Sequence, residues 1–282
     1  MTGPTPQQIR AAVKVALAED LALGDVTTRA IFPAWLPARA TIVAHEPLTL
    51  AGVAVARQVF TEVDASLKVV RSLPDGATAR SGSIVMVIEG DGRSLLAAER
   101  AALNFLQHLS GIATLTSRFC AAVKGYRTRI LDTRKTTPNL RMLEKYAVTK
   151  GGGMNHRMGL YDQVLIKDNH LDFVDLKKAM RDLRQFLPHS IKIEIEVDTP
   201  EVLERAISAN PDIIMLDNMG LDSIEKSIAM IRESRCRAKI EVSGGVNLRN
   251  VGDIARLKPD FISIGYITHS PEALDISLKF VK

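Results

Sequence analysis

Between Thr128 and Gly265 short apolar runs alternate with segments of helical periodicity, and this alternation limits the possible folds more than any other feature. The runs are Arg129–Leu131, Val164–Ile166, Ile191–Val197, Ile213–Leu216, Ile240–Val242 and Phe261–Ile264. Helical patterns occupy Asp172–Phe186, Pro200–Ala209, Leu221–Ser234 and Leu248–Leu257. Strands joined by helices run parallel, and the helices cover the sheet. Six runs, with a seventh strand expected near Tyr146–Thr149, fall one or two short of an eightfold α/β barrel. The pattern therefore predicts an incomplete, TIM-like barrel, with a doubly wound sheet as the competing architecture.

The chain before this region has a different texture. β-type runs at Ala40–Ala44, Leu48–Val55, Leu67–Arg71 and Ile84–Glu89 are punctuated by Pro74-Asp75-Gly76 and Gly90-Asp91-Gly92, after an amphipathic helix near Pro6–Asp20. This reads as a small α+β unit with a mostly antiparallel sheet. A long helical stretch, Ser94–Lys124, follows, and Gly111 is expected to break it in two.

Composition excludes several classes. At 46% hydrophobic and 24% charged residues, the 282-residue chain is neither disordered nor fibrous. A net charge of +5 suits an anionic ligand and is too small to argue for nucleic acid. Two cysteines cannot build a disulfide framework or a Cys-rich metal site. The N-terminus lacks a signal-peptide pattern, and no apolar run approaches the roughly 20 residues needed to span a bilayer. The expectation is a cytoplasmic protein with no membrane and no nucleic-acid partner.

In a parallel barrel, chemistry collects at the C-terminal ends of the strands. Asp132, Thr133, Arg134 and Lys135 follow the first run, Lys167 and Asp168 the second, and Asp217 and Asn218 the fourth. Ser243-Gly244-Gly245 follows the fifth and Gly265 the sixth. In Ile191–Val197 the aliphatic residues alternate with Lys192, Glu194 and Glu196, so the acids share one face. Either this is an edge strand with a wet face, or Glu194 and Glu196 point into the barrel; the flanking helices favour the second. Asp132–His170 carries seven Lys or Arg against four acids. Arg134, Lys135 and Lys167 sit where a cavity would be, whereas Arg141, Lys145 and Lys150, on a helix Leu140–Thr149, read as a solvated face. Ser243-Gly244-Gly245, before a possible helix cap at Asn247, together with Gly265, suits a phosphate site. Metal-ligand histidine spacing, a P-loop and a Gly-x-Ser-x-Gly elbow are missing from the sequence.

The stretch DTRKTTPNLRMLEKYAVTKGGGMNHRMGL (Asp132–Leu160), continued by LIKDNH (Leu165–His170), resembles the signature of the quinolinate phosphoribosyltransferases. Further matches are GDVTT (Gly24–Thr28), ERAALNFLQHLSGIAT (Glu99–Thr114), EIEVDT (Glu194–Thr199), MLDN (Met215–Asn218), EVSGGV (Glu241–Val246) and THS (Thr268–Ser270). The resemblance implies an N-terminal α/β sandwich domain over 1–112, with a C-terminal helix 270–282 packing on it, and an open seven-stranded α/β barrel over 113–269. It implies a homodimer with shared active sites. It also implies a reaction: quinolinate and phosphoribosyl pyrophosphate give nicotinate mononucleotide, pyrophosphate and carbon dioxide, with Mg²⁺ as cofactor.

By the same resemblance Arg134, Arg157 and Lys167 cradle the quinolinate carboxylates, with Thr133 and His156 beside them and Arg100 contributed by the partner subunit. Lys135 contacts pyrophosphate. Glu196 and Asp217 stand near the ribose hydroxyls and Mg²⁺. Ser243, Gly244, Gly245, Ile264, Gly265, Tyr266 and His269 line the phosphate end. Lys135, Lys167, Glu196 and Asp217 form the implied catalytic set. Tyr266 is a departure, standing where a smaller residue is expected.

Overall fold

The structure, a computed structural model, describes residues 3–32, 34–167, 170, 173 and 175–281. Asp168, singled out from the sequence, lies outside the described residues, as does the first residue of the expected helix Asp172–Phe186. Two compact units divide the chain. Met1–Ser117, Thr136–Gly152 and Ile267–Lys282 form one; Arg118–Lys135 and Gly153–Tyr266 form the other.

The first unit opens with α1 (Pro6–Leu21), started by a capping box in which Thr5 and Gln8 satisfy each other's backbone N–H groups. After α2 (Val26–Ile31) come β1 (Pro37–Ala44), β2 (Leu48–Thr49), α3 (Val53–Val63), β3 (Lys68–Ser72), β4 (Thr78–Ala79) and β5 (Ile84–Asp91). The expected strand Leu48–Val55 is thus only two residues long. Gly52, at φ 95°, turns the chain into α3, whose Val55, Ala56, Val59 and Phe60 bury one helical face. A helical period hidden behind β-branched residues misled the reading.

Next, α4 (Gly92–Ala122) runs unbroken through Gly111. A Cβ there would lie 2.1 Å from the Glu272 carbonyl oxygen, so Gly111 permits a close backbone approach instead of ending a helix. In a helix Gly→Ala normally gains about 1 kcal/mol, but overpacking against backbone costs about 1–3 kcal/mol and more when nothing can yield. Gly111→Ala is therefore expected to lower Tm by several degrees in a thermal melt.

The C-terminal segment, expected as a helix over 270–282, is instead β12 (Ile276–Phe280). It pairs antiparallel with β1, giving the sheet order β12-β1-β5-β3. Ile276 and Leu278 alternate with Ser277 and Lys279, a period of two that suits a strand with one covered face.

In the second unit β6 (Arg129–Leu131), β7 (Val164–Ile166), β8 (Ile193–Val197), β9 (Ile213–Asp217), β10 (Lys239–Ser243) and β11 (Phe261–Ser263) form one parallel sheet ordered β6-β11-β10-β9-β8-β7. The helices α6 (Leu176–Phe186), α7 (Pro200–Ala209), α8 (Leu221–Glu233) and α9 (Val251–Arg256) alternate with the strands, and α10 (Tyr266–His269) follows β11. No seventh strand forms at Tyr146–Thr149, which lies inside α5 (Arg141–Lys150) of the first unit. Instead Met154 makes a single parallel bridge to Leu131, which extends the open edge beside β6. Because β8 is paired on both sides, it is not an edge strand, and its acids face the interior.

Lys145, read as solvent-facing, is fully buried. The residues Leu143, Glu144, Lys145, Ala147 and Val148 are all covered, so α5 is packed over more than one face. Beside Lys145, the Glu144 carboxylate accepts hydrogen bonds from His108 Nε2 at 2.8 Å and from the Thr137 N–H at 3.1 Å.

Candidate active site

Parallel strands place their following residues at one end of the sheet, and the second unit brings most of the expected residues there. Thr133 and Arg134, both half-buried, and Lys135, exposed, follow β6. Lys167 follows β7, Glu196 lies near the end of β8, and Asp217 and Ser243 are the last residues of β9 and β10. The β9–β10 register sets Ser243 directly opposite Asp217. Beyond them Gly244 and Gly245 adopt φ 82° and 62°, and a cavity of about 300 Å³ opens between Asn218, Gly244, Gly245 and Asn250. Asn247 does not cap the next helix; Asn250 stands at the start of α9, and the Asn247 side chain accepts from the Arg249 N–H in the loop. After β11, Ile264 is buried and Gly265 half-buried.

The cations converge. Arg157 is buried, and its guanidinium donates to the Gln163 carbonyl at 3.2 Å. Burial, then the nearby Arg134 charge, pulls its pKa below the usual arginine value, while Glu194, Asp162 and Glu196 oppose that. Lys167 Nζ lies 3.9 Å from Glu196 Oε2. Arg134, Arg157, Lys167, Asp162, Glu194 and Glu196 thus form one electrostatically linked group at the end of the sheet.

Beneath the cations lies a buried polar network that anchors them. Asp132, fully buried, accepts from the His156 N–H at 2.9 Å and from the Asn155 side-chain amide at 2.5 Å. Asp162 accepts from the N–H groups of Met158 and Gly159. His156 Nε2 is 2.9 Å from Glu194 Oε2, and that oxygen also accepts from Gln163 Nε2 at 2.7 Å. Neither Glu241 nor Gln163 was singled out from the sequence. The signal was present in Ile240-Glu241-Val242, an acid between aliphatics on an interior strand, as in β8.

Burial, reinforced by the charge of Glu194, pushes the Glu241 carboxyl up to about 8; burial likewise raises Glu194, with Arg157 pulling the other way. An acid that holds its proton more tightly when folded stabilises the fold at low pH, and that contribution is lost as pH rises through the folded-state value. Tm is therefore expected to fall between about pH 5 and 9. Glu241→Leu should reduce that slope in melts across the same range, because one of the two raised carboxyls is then gone.

Two expected residues belong to the first unit. Arg100 is exposed on α4, and His269 is exposed at the end of α10, with Nδ1 2.7 Å from Ser270 Oγ.

The comparisons with known proteins agree over the whole chain. A family model described as quinolinate phosphoribosyl transferase, C-terminal domain, matches residues 112–279, and the N-terminal domain of the same family matches residues 25–110. The chain belongs to the quinolinate phosphoribosyltransferase family. A relative in that family, the probable nicotinate-nucleotide pyrophosphorylase (carboxylating) of Synechocystis sp., is 42% identical over 94% of this chain and 90% of its own length. The nicotinate-nucleotide pyrophosphorylase (carboxylating) of Mycobacterium leprae is 40% identical over 95% and 96%. Among solved structures, NadC from Streptococcus pyogenes superposes with a TM-score of 0.92 at 42% identity, with full coverage of both chains. Tyr266, for which the resemblance led us to expect a smaller residue, is exposed at 46% of its surface.

Proposed function

We propose that this chain transfers the phosphoribosyl group of phosphoribosyl pyrophosphate to quinolinate with decarboxylation, giving nicotinate mononucleotide, pyrophosphate and carbon dioxide in de novo NAD biosynthesis. The observation that carries the reading is the linked group of Arg134, Arg157 and Lys167 around one end of the parallel sheet. Two polyanions must share the pocket, and only a dense cationic lining offsets their repulsion. Arg forks match the planar carboxylates of the pyridine, and Lys135, exposed at the loop tip, reaches toward pyrophosphate. Ser243, Gly244, Gly245 and Gly265 offer N–H and hydroxyl donors to the 5′-phosphate.

The acids Glu196, next to the end of β8, and Asp217, at the end of the neighbouring β9, offer only oxygen, a donor set that fits Mg²⁺. When bound there, Mg²⁺ would neutralise charge on the pyrophosphate leaving group. Cleavage of the anomeric C–O bond builds positive charge on the ribose, which Glu196 and Asp217 stabilise. The pyridine nitrogen, oriented by the carboxylate cradle, forms the new bond to the anomeric carbon as pyrophosphate leaves. The resulting pyridinium accepts the electron pair released with carbon dioxide, and a proton replaces the lost carboxylate. Positioning and electrostatics carry the rate.

The deciding assay incubates the protein with quinolinate, phosphoribosyl pyrophosphate and Mg²⁺ and measures carbon dioxide and mononucleotide together. Mononucleotide from nicotinate but not quinolinate would overturn the reading.

The active form is a homodimer in the cytoplasm. Exposed Leu23, Val26, Ile31 and Trp35 on the first unit supply apolar surface for a second copy to cover. Both cysteines are free, and among the described residues no helix is long and apolar enough to cross a membrane. If Arg100 completes the partner's site, mixing inactive Arg100→Ala and Lys167→Ala proteins should restore about a quarter of wild-type activity by subunit exchange. No recovery after demonstrated exchange would remove Arg100 from the site.

A further inference from the structure

Arg134 and Arg157 repel each other, yet the carboxylate cradle needs both, so their spacing has to be held from outside the pair. They stand on two segments of the second unit that run side by side. Leu131, at the end of β6, makes its parallel bridge to Met154. The Met154 N–H donates to the Ile130 carbonyl at 2.9 Å, and the Asp132 N–H to the Met154 carbonyl at 3.2 Å. Past that bridge a side chain joins the segments. Asp132, fully buried, reaches across with both oxygens: Oδ1 accepts from the His156 backbone N–H at 2.9 Å and Oδ2 from Asn155 Nδ2 at 2.5 Å. Asp132 comes two residues before Arg134, and His156 comes one before Arg157. One carboxylate therefore grips the backbone from which Arg157 springs, at the root of the loop that carries Arg134. Two hydrogen bonds on one planar group fix direction as well as distance. Neither Asp132 nor Asn155 has a part in the chemistry proposed above.

We propose that Asp132 is a positioning residue: with Asn155 it latches the segment carrying Arg157 to the loop carrying Arg134, and so sets the spacing of the two guanidinium groups that receive quinolinate. The consequence for the substrate rests on the proposed function; the latch rests on the hydrogen bonds alone. The far side of Arg157 is secured separately. Asp162 accepts from the N–H groups of Met158 and Gly159, closing a turn directly after Arg157, and the Arg157 guanidinium donates to the Gln163 carbonyl. With Asp162 behind and Asp132 in front, Arg157 has fixed backbone on both sides. Quinolinate carries its two carboxylates on adjacent ring carbons, so the cradle must match one spacing. A misplacement of about 1 Å in such a site costs on the order of a hundredfold in rate.

The test reverses the polarity of the bond between Asp132 and Asn155. Asn155→Asp sets a carboxylate against a carboxylate. Adding Asp132→Asn restores one donor and one acceptor: the new amide at position 132 keeps its oxygen for the His156 N–H and turns its NH2 toward the new carboxylate at 155. Asn155→Asp should raise the KM for quinolinate about tenfold or more and change that for phosphoribosyl pyrophosphate less than about threefold. The double variant should return the quinolinate KM to within about threefold of wild type. Amide hydrogen exchange reports the latch without any substrate. The His156 N–H should exchange slowly in the wild type and the double variant, and about ten times faster or more in Asn155→Asp. An unchanged quinolinate KM and a still protected His156 amide in Asn155→Asp would overturn the proposal. So would a double variant as impaired as the single one, or an Asn155→Asp protein in which both KM values rise together, the mark of a general structural defect. Should Asn155→Asp fail to fold, the double variant decides: a quinolinate KM near wild type supports the latch, and a raised one overturns it. If the wild type does not turn over quinolinate, the functional reading fails by itself, and the exchange of the His156 amide still decides the latch.

Discussion

Arg134→Ala is expected to lower kcat/KM for quinolinate by about two to three orders of magnitude without destabilising the protein. A charge-assisted pair with a substrate carboxylate in a desolvated pocket is worth about 3–4 kcal/mol on truncation, which converts to that range. The stability half of the expectation has the opposite sign. Arg134 stands close enough to Arg157 to depress its pKa, so each cation destabilises the other in the unliganded protein. Removing one relieves that repulsion, which offsets the loss of Arg134's own contacts, and Tm should stay nearly level. Steady-state kinetics and a thermal melt on the same preparation check both. A protein that loses activity and stability together would indicate a structural role for Arg134. Arg134→Lys should recover little, because an ammonium cannot reproduce the planar fork.

Gly244→Ala is expected to raise the KM for phosphoribosyl pyrophosphate tenfold or more while leaving that for quinolinate nearly unchanged. The backbone at φ 82° already disfavours a side chain by about 1–2 kcal/mol. A Cβ there would also lie 2.2 Å from Asn218 Oδ1 and 2.6 Å from the Asn218 backbone nitrogen. The loop after β10 or the one after β9 must move, and with it the N–H groups offered to phosphate. Gly245→Ala is the control. Its φ is 62°, but nothing lies within 4 Å of the added carbon, so only the conformational cost applies. Equal effects from the two substitutions, or a Gly244→Ala effect on quinolinate alone, would place phosphate elsewhere.

Much of the second unit was legible in the sequence because a parallel sheet writes itself plainly. β9, β10 and β11 were readable as buried aliphatic runs, and the polar residues after them followed from the direction of the chain. The errors share one cause: a local pattern that tertiary packing overrode. Gly111 looks like a helix break until the Glu272 backbone is seen against it. Val53–Val63 looks extended because valine favours strands, yet Gly52 and a buried face make it a helix. The segment after Ser270 became a strand because β1 had an open side to pair with. Lys145 reads as surface by residue type alone and is buried because α5 is covered on several sides.

The order of residue types along the chain was sufficient for the α/β class, the direction of the strands, the polar end of the sheet and the family signature, since each depends on spacing within a few tens of residues. Contacts between distant segments were decided only by folding. These are the ties of His156 and Gln163 to Glu194 and the meeting of Glu194 with Glu241 from strands separated by β9. Electrostatics in a buried site depends on distance and solvent exclusion, and neither is written in sequence separation.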